Sequence, residues 1–176
     1  MLGVDASTTR DLTALVGCTL PENDIVQVVH CRVWRPTENE LRGGKPTVDL
    51  NETLGAEMMR LHAEGCVAAI VADPYQLHAL LLEWAMAGIK VIELPQNAGR
   101  VESDQALYET VAARRILHYG HPVLAEHVEN AVAAETPRGF RLAKEKTSRK
   151  IDLVVALSMA HWGARQIGAR HSWLLS

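Results

Sequence analysis

The apolar positions change period several times along the chain, and each change marks an element. Leu2 to Ser7 is a short, largely apolar strand. Leu12 to Leu20 is an apolar run with β-branched residues, and Ile25 to Trp34 is Val-rich and partly alternating. The polar turn Thr8-Thr9-Arg10-Asp11 and the turn signal Pro21-Glu22-Asn23-Asp24 separate them. Strands joined by turns this short predict an antiparallel meander. Residues 35 to 48 carry Pro36, Gly43, Gly44 and Pro46 and read as a loop. From Leu50, the positions Leu54, Met58, Leu61 and His62 recur at helical spacing until Gly65. Val67 to Asp73 predicts a strand buried on both faces. Tyr75 to Ala87 predicts a helix, opened by Pro74 and ended by Gly88. Lys90 to Leu94 is a fifth strand. Ser103 can cap a helix to about Tyr119, Pro122 can start another to about Ala134, and a last helix begins near Thr147 or Ser148 and passes Gly163. The order βββ-α-β-α-β needs parallel crossovers for its last two strands. It predicts an α/β fold whose mixed five-stranded sheet, three antiparallel strands and then two parallel, is flanked by helices.

Bulk properties narrow the class. The 176 residues suit one domain with a sizeable core, and 48 % are hydrophobic, which excludes a disordered chain. The longest apolar run, Cys66 to Ala72, is too short to span a bilayer, and no signal peptide is evident. Met1 directly precedes the first strand, so a domain cut from a longer chain, or a very compact one, is expected. Cys18, Cys31 and Cys66 match neither a zinc pattern nor a disulfide framework and read as buried free thiols in a reducing cytoplasm. The net charge of −3 is unevenly spread. Arg138, Arg141, Lys144, Lys146, Arg149 and Lys150 stand against Glu145 alone, a local charge of +5 that leaves −8 for the rest. A basic segment on an acidic body is a footprint for nucleic acid, although charge runs also occur as solvated surface.

Three aspartates carry the candidate chemistry. Asp5 lies within Leu2-Gly3-Val4-Asp5-Ala6-Ser7, Asp73 ends the run Val67 to Ala72, and Asp152 opens the stretch Ile151 to Gly163. Ionised carboxylates in apolar sequence are costly without a partner, and no local cation is placed to supply one. In a sheet of this order the fourth strand pairs with the first, so Asp5 and Asp73 can reach one face, and a helix packed there can bring Asp152 to them. At about 4 Å and an effective dielectric near 20, each like-charged pair costs roughly 4 kcal/mol. Hard oxygen ligands select Mg²⁺ or Mn²⁺, and two such ions can activate a water and stabilise a leaving oxygen. Simpler roles also fit each acid: a turn contact from Asp5 to Ser7 or Thr8, an N-cap from Asp73, and a helix-dipole partner in Asp152.

These residues resemble the nuclease domain of the tailed-bacteriophage terminase large subunit, an RNase H-like fold. The matching stretches are Leu2 to Leu15, Ile70-Val71-Ala72-Asp73-Pro74-Tyr75, His121-Pro122-Val123-Leu124 with Asn130, Lys144 and Lys146, and Ser148 to Leu157. The resemblance implies a metal-dependent endonuclease that cuts concatemeric viral DNA during genome packaging, in the host-cell cytoplasm. Asp5, Asp73 and Asp152 match its acidic metal ligands. It further implies double-stranded DNA, an ATPase domain, a small terminase subunit and a portal as partners, and no membrane. Glu126, Leu153 and Gln76 depart from the usual pattern without touching the acids. No Gly-x-x-x-x-Gly-Lys-Ser/Thr loop occurs, so the chain reads as a single nuclease domain, residues 1–176, without its ATPase motor.

Several further residues are candidates. Asp11 can support the metal site from behind, or pair with Arg10 in a turn. Lys144, Lys146, Arg149, Lys150 and Arg141 can hold DNA phosphates. Arg32, Arg35, Arg42 and Lys45 form a sparser basic group. His118, His121 and His127 read as ordinary surface histidines, since Pro122 breaks their spacing. Trp34, Trp84, Trp162 and Trp173 read as packing residues. Three rival functions remain open. Gly3-Val4-Asp5-Ala6-Ser7-Thr8-Thr9 looks like the first phosphate loop of actin and sugar kinases, which need a second such loop. A junction resolvase would share the acids. A docking module would carry them as vestiges.

Overall fold

The computed structural model describes residues 1–8, 11–38, 43–94 and 98–171. Among these residues eight strands and five α-helices follow in the order β1 (Leu2–Asp5), β2 (Thr13–Cys18), β3 (Val26–Trp34), α1 (Ala56–Ala63), β4 (Ile70–Ala72), α2 (His78–Met86), β5 (Val91–Glu93), α3 (Ala98–Ala112), β6 (Ile116–Leu117), α4 (Pro122–Glu129), β7 (Ala131–Thr136), β8 (Gly139–Lys144) and α5 (Asp152–His171). A π-helical turn, Asn51–Gly55, leads into α1.

The main sheet has the order β5-β4-β1-β2-β3-β6. The expected meander β1-β2-β3 is antiparallel, and β4 and β5 continue from β1 in parallel. A sixth strand, β6, adds to the edge alongside Val26 and Gln27 of β3, where a helix to Tyr119 was expected. Two residues of pairing are too few to leave a periodic signal. Asp5 is the last residue of β1 rather than lying in its middle.

Alternation along the central strands sorts the core into two layers. Leu2, Val4, Ile70 and Ala72 face Leu54, Met58, Leu80 and Trp84 on the α1–α2 side. Ala14, Val16 and Val71 face Leu107 of α3, Leu124 of α4 and Val155, Ala156, Met159 and Ala160 of α5 on the other. Gly3 is where α5 meets the sheet most closely: a Cβ there would sit 2.2 Å from the Ala156 carbonyl oxygen and 2.4 Å from the Ala160 nitrogen.

Two boundaries differ from the sequence reading. α4 begins at Pro122, with the Nδ1 atom of His121 accepting from the Leu124 amide at 3.3 Å, but it stops at Glu129. Residues 131–134 then form a strand, because β7 pairs with β8 in a hairpin from Ala131↔Lys144 to Thr136↔Gly139. Alanine-rich sequence favours helix locally, and strand pairing overrides it here. Pro137 and Gly139 bracket the turn of this hairpin rather than breaking up a loop. Gly139 has φ 129°, which a side chain rarely adopts. The final helix starts at Asp152, not at Thr147 or Ser148. Ser103 caps nothing: it lies inside α3, buried, with its hydroxyl on the Arg100 carbonyl. Cys18 is buried as expected, but Cys31 is half-buried and Cys66 exposed, because Cys66 follows the turn that ends α1. Among the described residues no helix is long and apolar enough to cross a membrane.

Candidate active site

The carboxyl end of β1 and the first turn of α5 meet on the α3–α5 face of the sheet. Alternation puts Gly3 and Asp5 on that face. The close approach at Gly3 seats α5 so that Asp152 lies within electrostatic reach of Asp5. Asp5 is half-buried, and its carboxyl is pushed up to about 7. Burial is the main cause, and the charges of Asp152 and Asp11 add to it, while Arg100 and Lys144 pull the other way. Ser7 accepts the Asp11 amide on its hydroxyl and Thr13 Oγ1 on its carbonyl.

Asp152 is 4 % exposed, and its Oδ2 atom has no hydrogen-bond partner. Burial raises its carboxyl above the usual range; its own backbone amide opposes this, Asp11 adds to it, and Lys144 and Lys150 oppose it. Asp11, on the β1–β2 turn, accepts from Lys144 Nζ at 2.6 Å and Lys150 Nζ at 2.7 Å. Partial burial works against ionisation of Asp11, but these two lysines outweigh it and hold its carboxyl below the ordinary value.

Asp73 follows β4, whose register with β1 runs to Val4↔Ala72, one residue before each acid. Its Oδ1 atom accepts from the Tyr75 amide at 2.9 Å, as a capping aspartate does. The fold thus brings Asp5, Asp11 and Asp152 within electrostatic reach of one another and leaves the Asp73 carboxylate on the chain leading into α2. Among the described residues no three His, Cys, Asp or Glu side chains are gathered closely enough to enclose an ion. The Asp5–Asp152 pair still has the character of a cation site. Its donors are hard oxygens, both groups are disfavoured as bare anions, and one buried oxygen is unpartnered.

Several contributors escaped the sequence reading. Arg100 is 4 % exposed and close enough to influence Asp5, so a cation is present after all, supplied from α3. It is held by fully buried Asp104, whose Oδ1 atom accepts from Arg100 Nε at 3.0 Å and Ser158 Oγ at 2.7 Å. The other Asp104 oxygen accepts from the Leu142 amide at 2.8 Å, which ties the hairpin to α3 and α5. An Arg and an Asp four apart on a helix look like an exposed ion pair, and only the tertiary contacts bury them. His127 is buried, not a surface residue, and its Nδ1 atom accepts from the Leu153 amide at 2.9 Å. Burial keeps its imidazole below the usual pKa, which suits a neutral acceptor.

The basic segment divides in two. Lys144 ends β8 and Lys150 precedes α5, and both reach Asp11, whereas Arg141 on β8 and Lys146 and Arg149 beyond it are exposed. Of the sparser group, Arg32 is engaged by Glu57 at 2.9 Å and lies over the Trp34 ring. Arg10, Arg42 and Trp173 lie outside the described residues. Trp84 is a core residue.

A sheet of three antiparallel strands continued by parallel ones and flanked by helices is the RNase H-like fold. Residues 58–167 match the family described as the terminase large subunit, endonuclease domain, and the chain belongs to that family. It is 28 % identical to the Gene 13 protein of Mycobacterium phage L5 over 99 % of this chain and 30 % of that protein, so it spans about a third of that relative's length. It is also similar to the crystal structure of the HK97 bacteriophage large terminase, with TM-score 0.75 and 22 % identity, covering 92 % of this chain and 38 % of that one. The large terminase nuclease from thermophilic phage G20c with bound magnesium matches with TM-score 0.64 and 13 % identity over 92 % of this chain and 79 % of that one.

Proposed function

We propose that this domain is a metal-dependent endonuclease that hydrolyses duplex DNA phosphodiesters with little sequence specificity, cutting concatemeric viral DNA during packaging. The observation that carries the reading is half-buried Asp5 in the field of buried Asp152, whose Oδ2 atom is unpartnered, at the head of an RNase H-like sheet. A similar nuclease holds magnesium, and family membership supports the same use here. Asp5 and Asp152 would hold Mg²⁺ or Mn²⁺, and Asp73 would join them by turning from the Tyr75 amide. Such ions, two on this reading, would supply an activated water and stabilise the leaving oxygen. Asp11 supports the site from behind and keeps Lys144 and Lys150 beside it. Those lysines, with Lys146, Arg149 and Arg141, bind DNA phosphates and so set the position of the scissile bond rather than its sequence. The 176 residues act as one nuclease domain. An ATPase motor domain, a small terminase subunit and a portal are its partners, in the cytoplasm of the infected cell.

Supercoiled plasmid incubated with Mn²⁺, Mg²⁺ or EDTA tests the reading. Nicking and linearisation with metal, abolished by EDTA and by Asp5→Ala or Asp152→Ala, are expected. Cleavage that persists in EDTA, or in both variants, would sink it.

A further inference from the structure

The first turn of any α-helix has amides without helical partners, and the residue before the helix usually caps them with a short polar side chain. Before α5 that residue is Ile151, which has no such group, though its carbonyl accepts the Val155 amide at 3.0 Å. The acceptor comes instead from another helix. His127 of α4, 1 % exposed, accepts the Leu153 amide on Nδ1 at 2.9 Å. Three residues on, just past the end of α4, Asn130 is 4 % exposed and its Nδ2 atom donates to the Lys150 carbonyl at 3.1 Å. The Asn130 carbonyl accepts the Glu145 amide at 3.0 Å. The end of α4 therefore grips the backbone on both sides of Ile151. Two buried polar side chains hold a segment of four residues that contains Lys150 and Asp152.

Aspartate has a short side chain, so the position of its carboxylate follows closely from its backbone. The Asp152 Oδ2 atom is itself unpartnered, and its own amide is the hydrogen bond that favours its ionised form, so within the seat that Gly3 gives α5 the local backbone sets the carboxylate. We infer that His127, supported by Asn130, is the positioning residue for Asp152, capping α5 from α4 and so setting where the Asp152 carboxylate stands opposite Asp5. This inference rests on the proposed metal site. His127 itself touches neither metal nor DNA.

Calorimetric titration of Mn²⁺ without DNA tests it, with hydrogen exchange of the Leu153 amide read on the same proteins. In His127→Asn the amide oxygen occupies the place of Nδ1, whereas in His127→Gln it lies about one bond farther out. His127→Leu offers no acceptor at all. Partners behind metal ligands typically affect affinity by about 10–100-fold. His127→Leu and His127→Gln are thus expected to weaken Mn²⁺ binding about tenfold and to speed Leu153 exchange. His127→Asn is expected to stay within about threefold of wild type in affinity, with its Leu153 amide protected. Should His127→Leu fail to fold, the Asn and Gln variants decide between themselves. Equal affinity in these two, or wild-type affinity in a folded His127→Leu protein, overturns the inference. Absence of Mn²⁺ binding by wild type is a different result: the proposed metal site then fails first and this inference falls with it.

Discussion

The cost of the candidate site is concentrated in single carboxyl groups. Asp5 is raised to about 7 in the folded chain by burial and by its acidic neighbours. Below its ordinary value near 3.8 it is protonated in folded and unfolded chains alike and has no effect on stability. As pH rises, the unfolded chain ionises first, and the native state loses ground until about pH 7, where Asp5 ionises as well. A tenfold change in proton affinity corresponds to about 1.4 kcal/mol, and the effect is reduced here because Asp5 is partly exposed. Asp5→Asn should therefore be more stable than wild type in EDTA at pH 8, by about 1–3 kcal/mol, with the difference closing as pH falls below about 3.8. Urea denaturation across this range reads this directly. A variant less stable than wild type at pH 8 would show that Asp5 has a stronger neutralising partner than Arg100. Added Mn²⁺ should stabilise wild type and not the variant.

At the scale of elements, the site depends on how α5 lies across β1. Gly3 permits that contact, and the residues of α5 that oppose it, Ala156 and Ala160, are small. A methyl group at Gly3 would meet backbone atoms at 2.2 and 2.4 Å, which cannot rotate away as a flexible side chain could. Overpacking a tight contact usually costs about 1–3 kcal/mol. Gly3→Ala should fall at or above that range in urea denaturation. If it folds, Mn²⁺ binding should weaken too, because α5 must lift and carry Asp152 from Asp5. A Gly3→Ala protein of unchanged stability would mean that α5 can slide on the sheet. The hairpin β7–β8 depends on a different anchor. Asp104 holds it through the Leu142 amide, so the basic segment is attached to the same two helices, α3 and α5, that frame the acids.

Over the whole molecule, a net charge of −3 and a cationic segment beside the acids would make the proposed DNA binding a contest between attraction and repulsion. Arg141, Lys146 and Arg149 are exposed, whereas Lys144 and Lys150 are paired with Asp11 and would have to share themselves with a phosphate. Each phosphate neutralised on duplex DNA contributes about −0.9 to the slope of log affinity against log salt. Three to five contacts by these five cations predict a slope of about −3 to −4.5, measurable by fluorescence anisotropy on a labelled duplex in Ca²⁺ or EDTA. A flat salt response would remove the basic segment from the DNA contact. Charge reversal at Arg141 should reduce the slope by about one.

The sequence by itself determined the local identities: the β1–β2–β3 meander, the β4 and β5 strands, the breaks at Gly65 and Gly88, and the three acids in their topological order. Each has a short-range cause, such as apolar period, turn chemistry or a helix signal. Tertiary structure decided what those causes leave open. Ala131–Ala134 is helix-prone alone, and pairing with β8 makes it a strand. β6 exists only because the edge of β3 is there to pair with it. Arg100, Asp104 and His127 look like surface residues in sequence and become buried partners of the site once α3, α4 and α5 pack together. The convergence of Asp5 with Asp152, 147 positions apart, and the turning of Asp73 to the Tyr75 amide likewise depend on where the sheet and helix ends fall. Burial and long-range hydrogen bonding are properties of the packed chain, and no window of sequence contains them.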